Sequence, residues 1–167
     1  SFRPNKKEYI QLNSQFKFPI KSFDANTNQK AIWTLETKPE GMSLNQENTI
    51  TWTAKTLDYN TYIISVSDEI DSDIFYGEIY VNDPPQIISE PPQQTQPDTD
   101  FEYIIIATDN NKESPTTPKT KNKIYYHIEE GPETIKIKSN ILTWKPTTTD
   151  VGEHKITIKA TDTISDT

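Results

Sequence analysis

One stretch of this chain occurs twice. Asn140–Asp162 reads NILTWKPTTTDVGEHKITIKATD, and Asn48–Asp68 reads NTITWTAKTLDYNTYIISVSD. In each copy a short apolar run ends in a tryptophan, Trp52 or Trp144, and a turn follows. A second run then alternates apolar with polar residues and stops at an aspartate. Alternation with period two marks a strand with one buried face, because successive side chains point to opposite sides of a sheet. Aligned on the tryptophans, Tyr62, Ile64 and Val66 answer His154, Ile156 and Ile158. A tandem repeat therefore governs the fold.

The rest of the chain fits two copies of one unit. In the first, a weak strand at Glu8–Leu12 precedes the clean alternation Phe16, Phe18, Ile20, which ends in a turn at Asp24–Asn28. A strand from Ala31 to Leu35 carries Trp33, and turns at Pro39–Gly41 and Asn45–Asn48 lead to Ile50–Trp52. A turn around Asp58–Asn60, the strand Tyr62–Val66, an acidic loop (Asp68, Glu69, Asp71, Asp73) and a last strand Ile74–Val81 complete it. Asn82-Asp83-Pro84-Pro85 is the boundary, since proline cannot donate to a ladder and fixes its own φ. The predicted domains are 1–83 and 84–167. In the second, Gln86–Ser89 is an edge strand and Pro91–Asp100 a proline-interrupted crossing. Phe101, Tyr103, Ile105 and Ala107 repeat Phe16, Phe18, Ile20 and Ser22, and a longer loop from Asn110 to Asn122 precedes a strand in which Tyr126 replaces Trp33. Ile135 and Ile137 stand for Met42 and Leu44.

Composition narrows the class. Only 32% of the 167 residues are hydrophobic, but 10% are aromatic and they fall on regular alternations that disordered chains lack. Each sheet is expected to bury one face and wet the other. The net charge of −8 disfavours nucleic acid and anionic lipid as partners. With no cysteine, disulfides and thiolate chemistry are excluded. No apolar run is long enough to span a bilayer, and no Asn-X-Ser/Thr sequon occurs. The opening Ser-Phe-Arg-Pro is expected to be the start of a piece of a longer protein. Short strands with regular turn signals and no helical period predict an all-β chain of two tandem Greek-key β-sandwiches.

Four motifs, all in the second unit, carry a resemblance. They are an aromatic strand ending in Ala107-Thr108-Asp109, then Leu142-Thr143-Trp144-x-Pro146, Asp150-x-Gly152, and Ile156-x-Ile158-x-Ala160-x-Asp162. The pattern resembles the cadherin-like and bacterial immunoglobulin-like repeat families, including the dystroglycan-type cadherin-like module. The first unit matches less fully, with Ser22, Ala54 and Asn60 at the alanine, proline and glycine positions. The resemblance implies Ig/cadherin-like sandwiches used as repeated surface modules. It also implies, at the positions matching the cadherin motif, an interdomain calcium held by Asp58, Asn82, Asp83, Asp109 and Asn111, oxygen ligands of the kind a hard cation needs. The chain departs from that motif at Asp58-Tyr59-Asn60, which lacks the cadherin glutamate, and at the two prolines after Asp83. The expectation from the residues is a metal-free scaffold with no cofactor.

Other chemistry is sparse. His127 and His154 are far apart, each in a strand, with His154 in the slot of Tyr62. Trp33, Trp52 and Trp144 hold core-strand positions, whereas a sugar-stacking platform would need an exposed indole. No nucleophile elbow, zinc-protease motif or phosphate loop is present, so no enzyme is expected. The expected function is a structural spacer or adhesion module of a long bacterial or archaeal surface protein, in a stalk, adhesin or surface-layer array. Its partners would be other repeats of the same protein or other cell-surface proteins, outside the cell or in the periplasm. The alternative is a polysaccharide- or protein-binding module attached to a secreted enzyme. One asymmetry stands out: the second unit has no counterpart of Ile74–Val81. Its sandwich is expected to lack the last strand and to leave an open edge beside Lys155–Ala160, completed by the continuing chain or by another molecule.

Overall fold

The computed structural model describes residues 7–21, 31–68, 70–112, 122–162 and 164. The expected turn at Asp24–Asn28, Glu69 of the acidic loop and most of the loop after Asn110 lie outside the described residues. The chain divides into two compact units, Ser1–Asp83 and Pro84–Thr167. Both are all-β, as the alternating sequence predicts.

In unit 1, strands β1 (Lys7–Gln11), β2 (Gln15–Pro19), β3 (Ile32–Thr37), β4 (Ser43–Leu44), β5 (Thr49–Thr53), β6 (Asp58–Ser67) and β7 (Ser72–Asn82) form two sheets. One runs β1-β7-β6-β3 and the other β2-β5-β4. Only β1 is parallel to its neighbour, with Lys7 opposite Glu78. The alternating residues do what their period requires: Phe16, Ile50, Trp52, Ile64, Phe75, Ile79 and Val81 are buried between the sheets. The Trp52 indole donates to the Glu40 carbonyl at 3.0 Å, which satisfies its one polar atom inside the core. The turn expected at Asp58–Asn60 is instead the start of β6. The ladder with β7 extends to Asp58 opposite Val81. Asp58 takes a left-handed φ of 66°, so the chain bends at the first residue of the strand.

Unit 2 contains β8 (Gln86–Ile87), β9 (Phe101–Ile104), β10 (Ala107–Thr108), β11 (Tyr125–Glu130), β12 (Lys136–Lys138), β13 (Ile141–Trp144), a 3₁₀ turn at Thr148–Asp150, and β14 (Thr157–Thr161). The sheets run β12-β13-β9, β11-β14 and β10-β8. The run expected from Phe101 to Ala107 is two strands, because the chain changes partner at Ile105. Its amide bonds the Asn140 carbonyl, beyond β13, and the next carbonyl, of Ile106, accepts from the Ile88 amide beside β8. The core of Tyr103, Ile105, Ile135, Leu142 and Trp144 is smaller than that of unit 1.

Cross-strand pairs establish which residues correspond. Phe16 opposes Trp52 as Phe101 opposes Trp144, so the tryptophans are equivalent (144 − 52 = 92). Trp33 opposes Val66 and Leu35 opposes Ile64, the second pair just before a bulge. Tyr126 opposes Ala160 and Ile128 opposes Ile158, again before a bulge. Ile64 therefore answers Ile158 (158 − 64 = 94). This corrects the alignment read from the tryptophans: Tyr62 corresponds to Ile156, and His154 corresponds to Asn60. The 3₁₀ turn at Thr148–Asp150 absorbs the two extra residues.

The same registers show why β14 is half as long as β6, with 5 residues against 10. The part of β6 paired with β3 is Ile63–Ser67, and its counterpart is β14 itself. The first half of β6 is held by β7, and among the described residues no strand occupies that place in unit 2. Among the described residues the second sandwich thus shows no counterpart of β7. Among the described residues no helix is long and apolar enough to cross a membrane.

Candidate functional site

Where β7 lies in unit 1, unit 2 has a cleft of about 760 Å³. Segment 91–97 forms one wall and residues 150–154 form the rim. Tyr103, Leu142, Trp144, Ile156 and Ile158 make up the floor and far wall. The sequence explains the opening. Segment 92–96 holds the place of β1, by the spacing that relates Phe101 to Phe16, but reads Pro-Gln-Gln-Thr-Gln. Proline has no amide to donate, and none of these side chains is an apolar strand former, so the segment is fully exposed and forms no ladder.

The rim is fixed by specific contacts. The Asp98 amide donates to the Pro146 carbonyl at 2.7 Å, fastening segment 91–97 to the end of β13. The Thr147 amide and hydroxyl donate to Asp150 Oδ2 at 2.7 and 2.8 Å. Those two bonds hold the Asp150 carboxyl below its ordinary pKa. His154 Nε2 donates to the Asp150 carbonyl at 2.7 Å, and its ring meets that of Trp144 edge-on, with centroids 5.2 Å apart. Asn60 makes the matching bond in unit 1, from Nδ2 to the Thr56 carbonyl four residues back, at 2.9 Å. The histidine therefore fastens a turn. Tyr103 bonds Ser89 through its hydroxyl at 2.7–2.8 Å, so the floor is polar only at one anchored point. Such a cleft, apolar below and hydrogen-bonded at its lip, suits an apolar side-chain row better than an ion.

Of the residues implied as calcium ligands, three lie in unit 1 and two in unit 2. In unit 1, Asp58 opens β6, Asn82 closes β7 and is fully buried, and Asp83 is half-buried just beyond it. The Asp58 carbonyl accepts from Asn60 Nδ2 at 3.1 Å. In unit 2, Asp109 Oδ1 accepts the Asn111 amide at 2.8 Å, a turn-forming bond, and Asn111 is buried. Asp68 makes a similar turn with the amides of Ile70 and Asp71, which hold its carboxyl below the usual range. Among the described residues no group of three or more His, Asp or Glu side chains is placed to hold a metal ion.

The tryptophans lie where alternation put them: Trp52 and Trp144 are 2% and 7% exposed, and Trp33 is half-buried. Trp144 donates from its indole nitrogen to the Thr134 hydroxyl at 2.9 Å, so both buried indoles are satisfied. His127 is exposed on β11. The cleft lies along the open edge expected beside Lys155–Ala160, and its other wall was legible in the three prolines and absent alternation of segment 91–97.

No family model and no curated protein matches the sequence. Among solved structures, the chain is similar to extracellular domains 3–5 of Drosophila OTK, with a TM-score of 0.58 at 12% identity over 93% of this chain and 58% of that one. It is similar to the N-terminal eight Ig domains of Down Syndrome Cell Adhesion Molecule, with a TM-score of 0.54 at 12% identity, covering 96% of this chain and 26% of that one. An I-band fragment of titin matches with a TM-score of 0.50 at 16% identity, over 93% and 62%. The chain thus spans less than two thirds of each of these. At such identities the likeness establishes the Ig-like fold.

Proposed function

We propose that the chain is a non-enzymatic structural or adhesion module, two serial Ig-like units of a larger surface or secreted protein in a bacterial or archaeal stalk, adhesin or surface layer. The observation that carries this reading is the sealing of both repeated tryptophans into equivalent cores, each with its indole nitrogen bonded inside its own unit. A module selected for sugar stacking would present an indole to solvent. Serial Ig-like units in an adhesion molecule and in a titin fragment support the same reading as analogy of fold. The dystroglycan-type cadherin-like family is the finer assignment, supported by the Leu-Thr-Trp-x-Pro and Ala-x-Asp elements of unit 2. Partners are then neighbouring repeats or other surface proteins.

Force spectroscopy on the chain held between handles tests this. A spacer gives two unfolding events, one per unit, with the smaller-cored unit 2 yielding first. A parallel titration with cell-wall and algal polysaccharides should leave tryptophan fluorescence unchanged. Saturable quenching by one of them would make the binding-module reading the better one.

A further inference from the structure

We propose that the outer face of the β12-β13-β9 sheet in unit 2 is a self-association surface, whose partner is unit 2 of a second copy of this chain. Cross-strand pairs lay the face out. Ile141 stands between Ile104 and Lys138, and Thr143 stands between Glu102 and Lys136. Ile105 bonds Asn140 through both its amide and its carbonyl, whereas the Ile106 carbonyl accepts from the Ile88 amide at 2.9 Å. Ile88 therefore lies on the far side of this segment from β13, opposite Ile106. Ile88, Ile104, Ile106 and Ile141 all turn out of the core and are 36% to 59% exposed. The repeat supplies an internal control. On the same face of unit 1, Pro19 opposes Thr49, Lys17 opposes Thr51, and Ser43 lies beyond Thr51. Pro19 and Thr49 answer Ile104 and Ile141, and exposed Lys21 answers Ile106. Such a unit thus folds with a polar outer face here, and the fold does not demand the isoleucines of unit 2. Single exposed apolar residues are ordinary, but two adjoining cross-strand pairs of isoleucine make a patch.

Charge identifies the occupant. Lys136 and Lys138 border the isoleucines on the β12 side, in a protein whose net charge is −8. Glu102 lies on the other side, on β9, and Glu90 is exposed two residues beyond Ile88. Lys145 and Asp100, in the next row, already pair with each other at 3.6 Å. A face ordered basic, apolar, acidic is complementary to itself. A twofold axis parallel to the strands brings each lysine edge over the partner's glutamate edge and sets isoleucine against isoleucine. Strands about 4.8 Å apart make this face narrow beside a standard interface of about 800 Å² per partner. The contact is therefore weak alone and gains from avidity among many copies. It deepens the adhesion reading by giving it a homotypic partner.

The test is sedimentation equilibrium of the chain as it is, up to about 1 mM protein at low salt. A monomer–dimer equilibrium is expected, and added salt should weaken it. The I104S/I141T variant carries polar residues where unit 1 has Pro19 and Thr49. Its Kd should rise about tenfold or more, with an unchanged circular dichroism spectrum. K136E/K138E and E90K/E102K should each be monomeric, an equimolar mixture of the two should associate, and the chain carrying all four changes should dimerise as the parent does. A monomer throughout the concentration range, or a dimer indifferent to I104S/I141T, overturns the proposal. So does a mixture no more associated than its separate parts, which would place the contact elsewhere. Either failure leaves the spacer reading standing, because that reading rests on the buried tryptophans.

Discussion

The Tyr62 ring lies across Gly77 of the adjacent strand and occupies the place a Cβ there would need. The ring cannot swing clear easily, because Phe16 and Phe75 pack against it with centroids 6.3 and 6.1 Å away. A methyl group at Gly77 overpacks the core, and Gly77→Ala should cost about 1–3 kcal/mol. Replacing Tyr62 by isoleucine, the residue unit 2 uses, makes room for it. The double variant Y62I/G77A should then be more stable than the two single losses predict, with a coupling of about 0.5–3 kcal/mol in urea melts. Strict additivity would show that the ring does not set the glycine.

The two buried tryptophans should behave alike. Trp52→Ala and Trp144→Ala each remove a large aromatic from a packed core and should cost about 3–5 kcal/mol. Each loss should fall on its own unit, so calorimetry should show one transition moved and the other kept. Retention of both transitions in either variant would mean that its indole fills no core.

Sequence reading reached the fold because tryptophan and period-two aliphatics announce a half-buried strand wherever they occur. It misaligned the second half of the repeat because Tyr62-Ile63-Ile64 and His154-Lys155-Ile156 alternate equally well in either register. Period two cannot detect a shift by two residues. Only the cross-strand pairs, Leu35 with Ile64 and Ile128 with Ile158, distinguish them. The open edge beside Lys155–Ala160 was legible because the described second unit has no counterpart of Ile74–Val81, whereas the volume walled by segment 91–97 depends on topology.

Alignment of His154 with Asn60 gives its own prediction. Both side chains bond the carbonyl four residues back. His154→Asn should preserve most of that bond, whereas His154→Ala should lose it, at about 1 kcal/mol. Thermal melts of the two variants compare them directly. Equal destabilisation would mean that the ring acts by packing on Trp144 and not through Asp150.

Burial, with the Glu8 carboxylate adding to it, pushes the Tyr62 phenol up to about 12. In the unfolded chain the phenol ionises near its ordinary pKa of about 10. Between those values the unfolded state releases a proton that the folded state keeps, so stability is full below pH 10 and falls as pH rises toward 12. Other tyrosines add to the alkaline loss, which makes the comparison with Tyr62→Phe decisive. The variant should lose less stability than the parent between pH 9 and pH 11.5 in urea titrations. An unchanged slope would place the phenol in water.

Calcium is the remaining question, and we propose a scaffold that works without it. Calcium takes about six to eight oxygen ligands, several of them carboxylates. In unit 1, the Asp58 carbonyl is engaged by Asn60, and Asn82 is buried at the end of a β7 ladder. In unit 2, Asp109 spends one oxygen on the Asn111 amide, as Asp162 does on the Ile164 amide at 2.7 Å. Carboxylates used this way shape turns, and recruiting them as ligands would cost those bonds. Titration calorimetry at millimolar calcium should therefore show no saturable heat, and the melting temperature should not move with calcium or with chelator. Micromolar binding that disappears in Asp109→Ala, while the variant keeps its fold by circular dichroism, would reverse this and make the linker a calcium-stiffened joint.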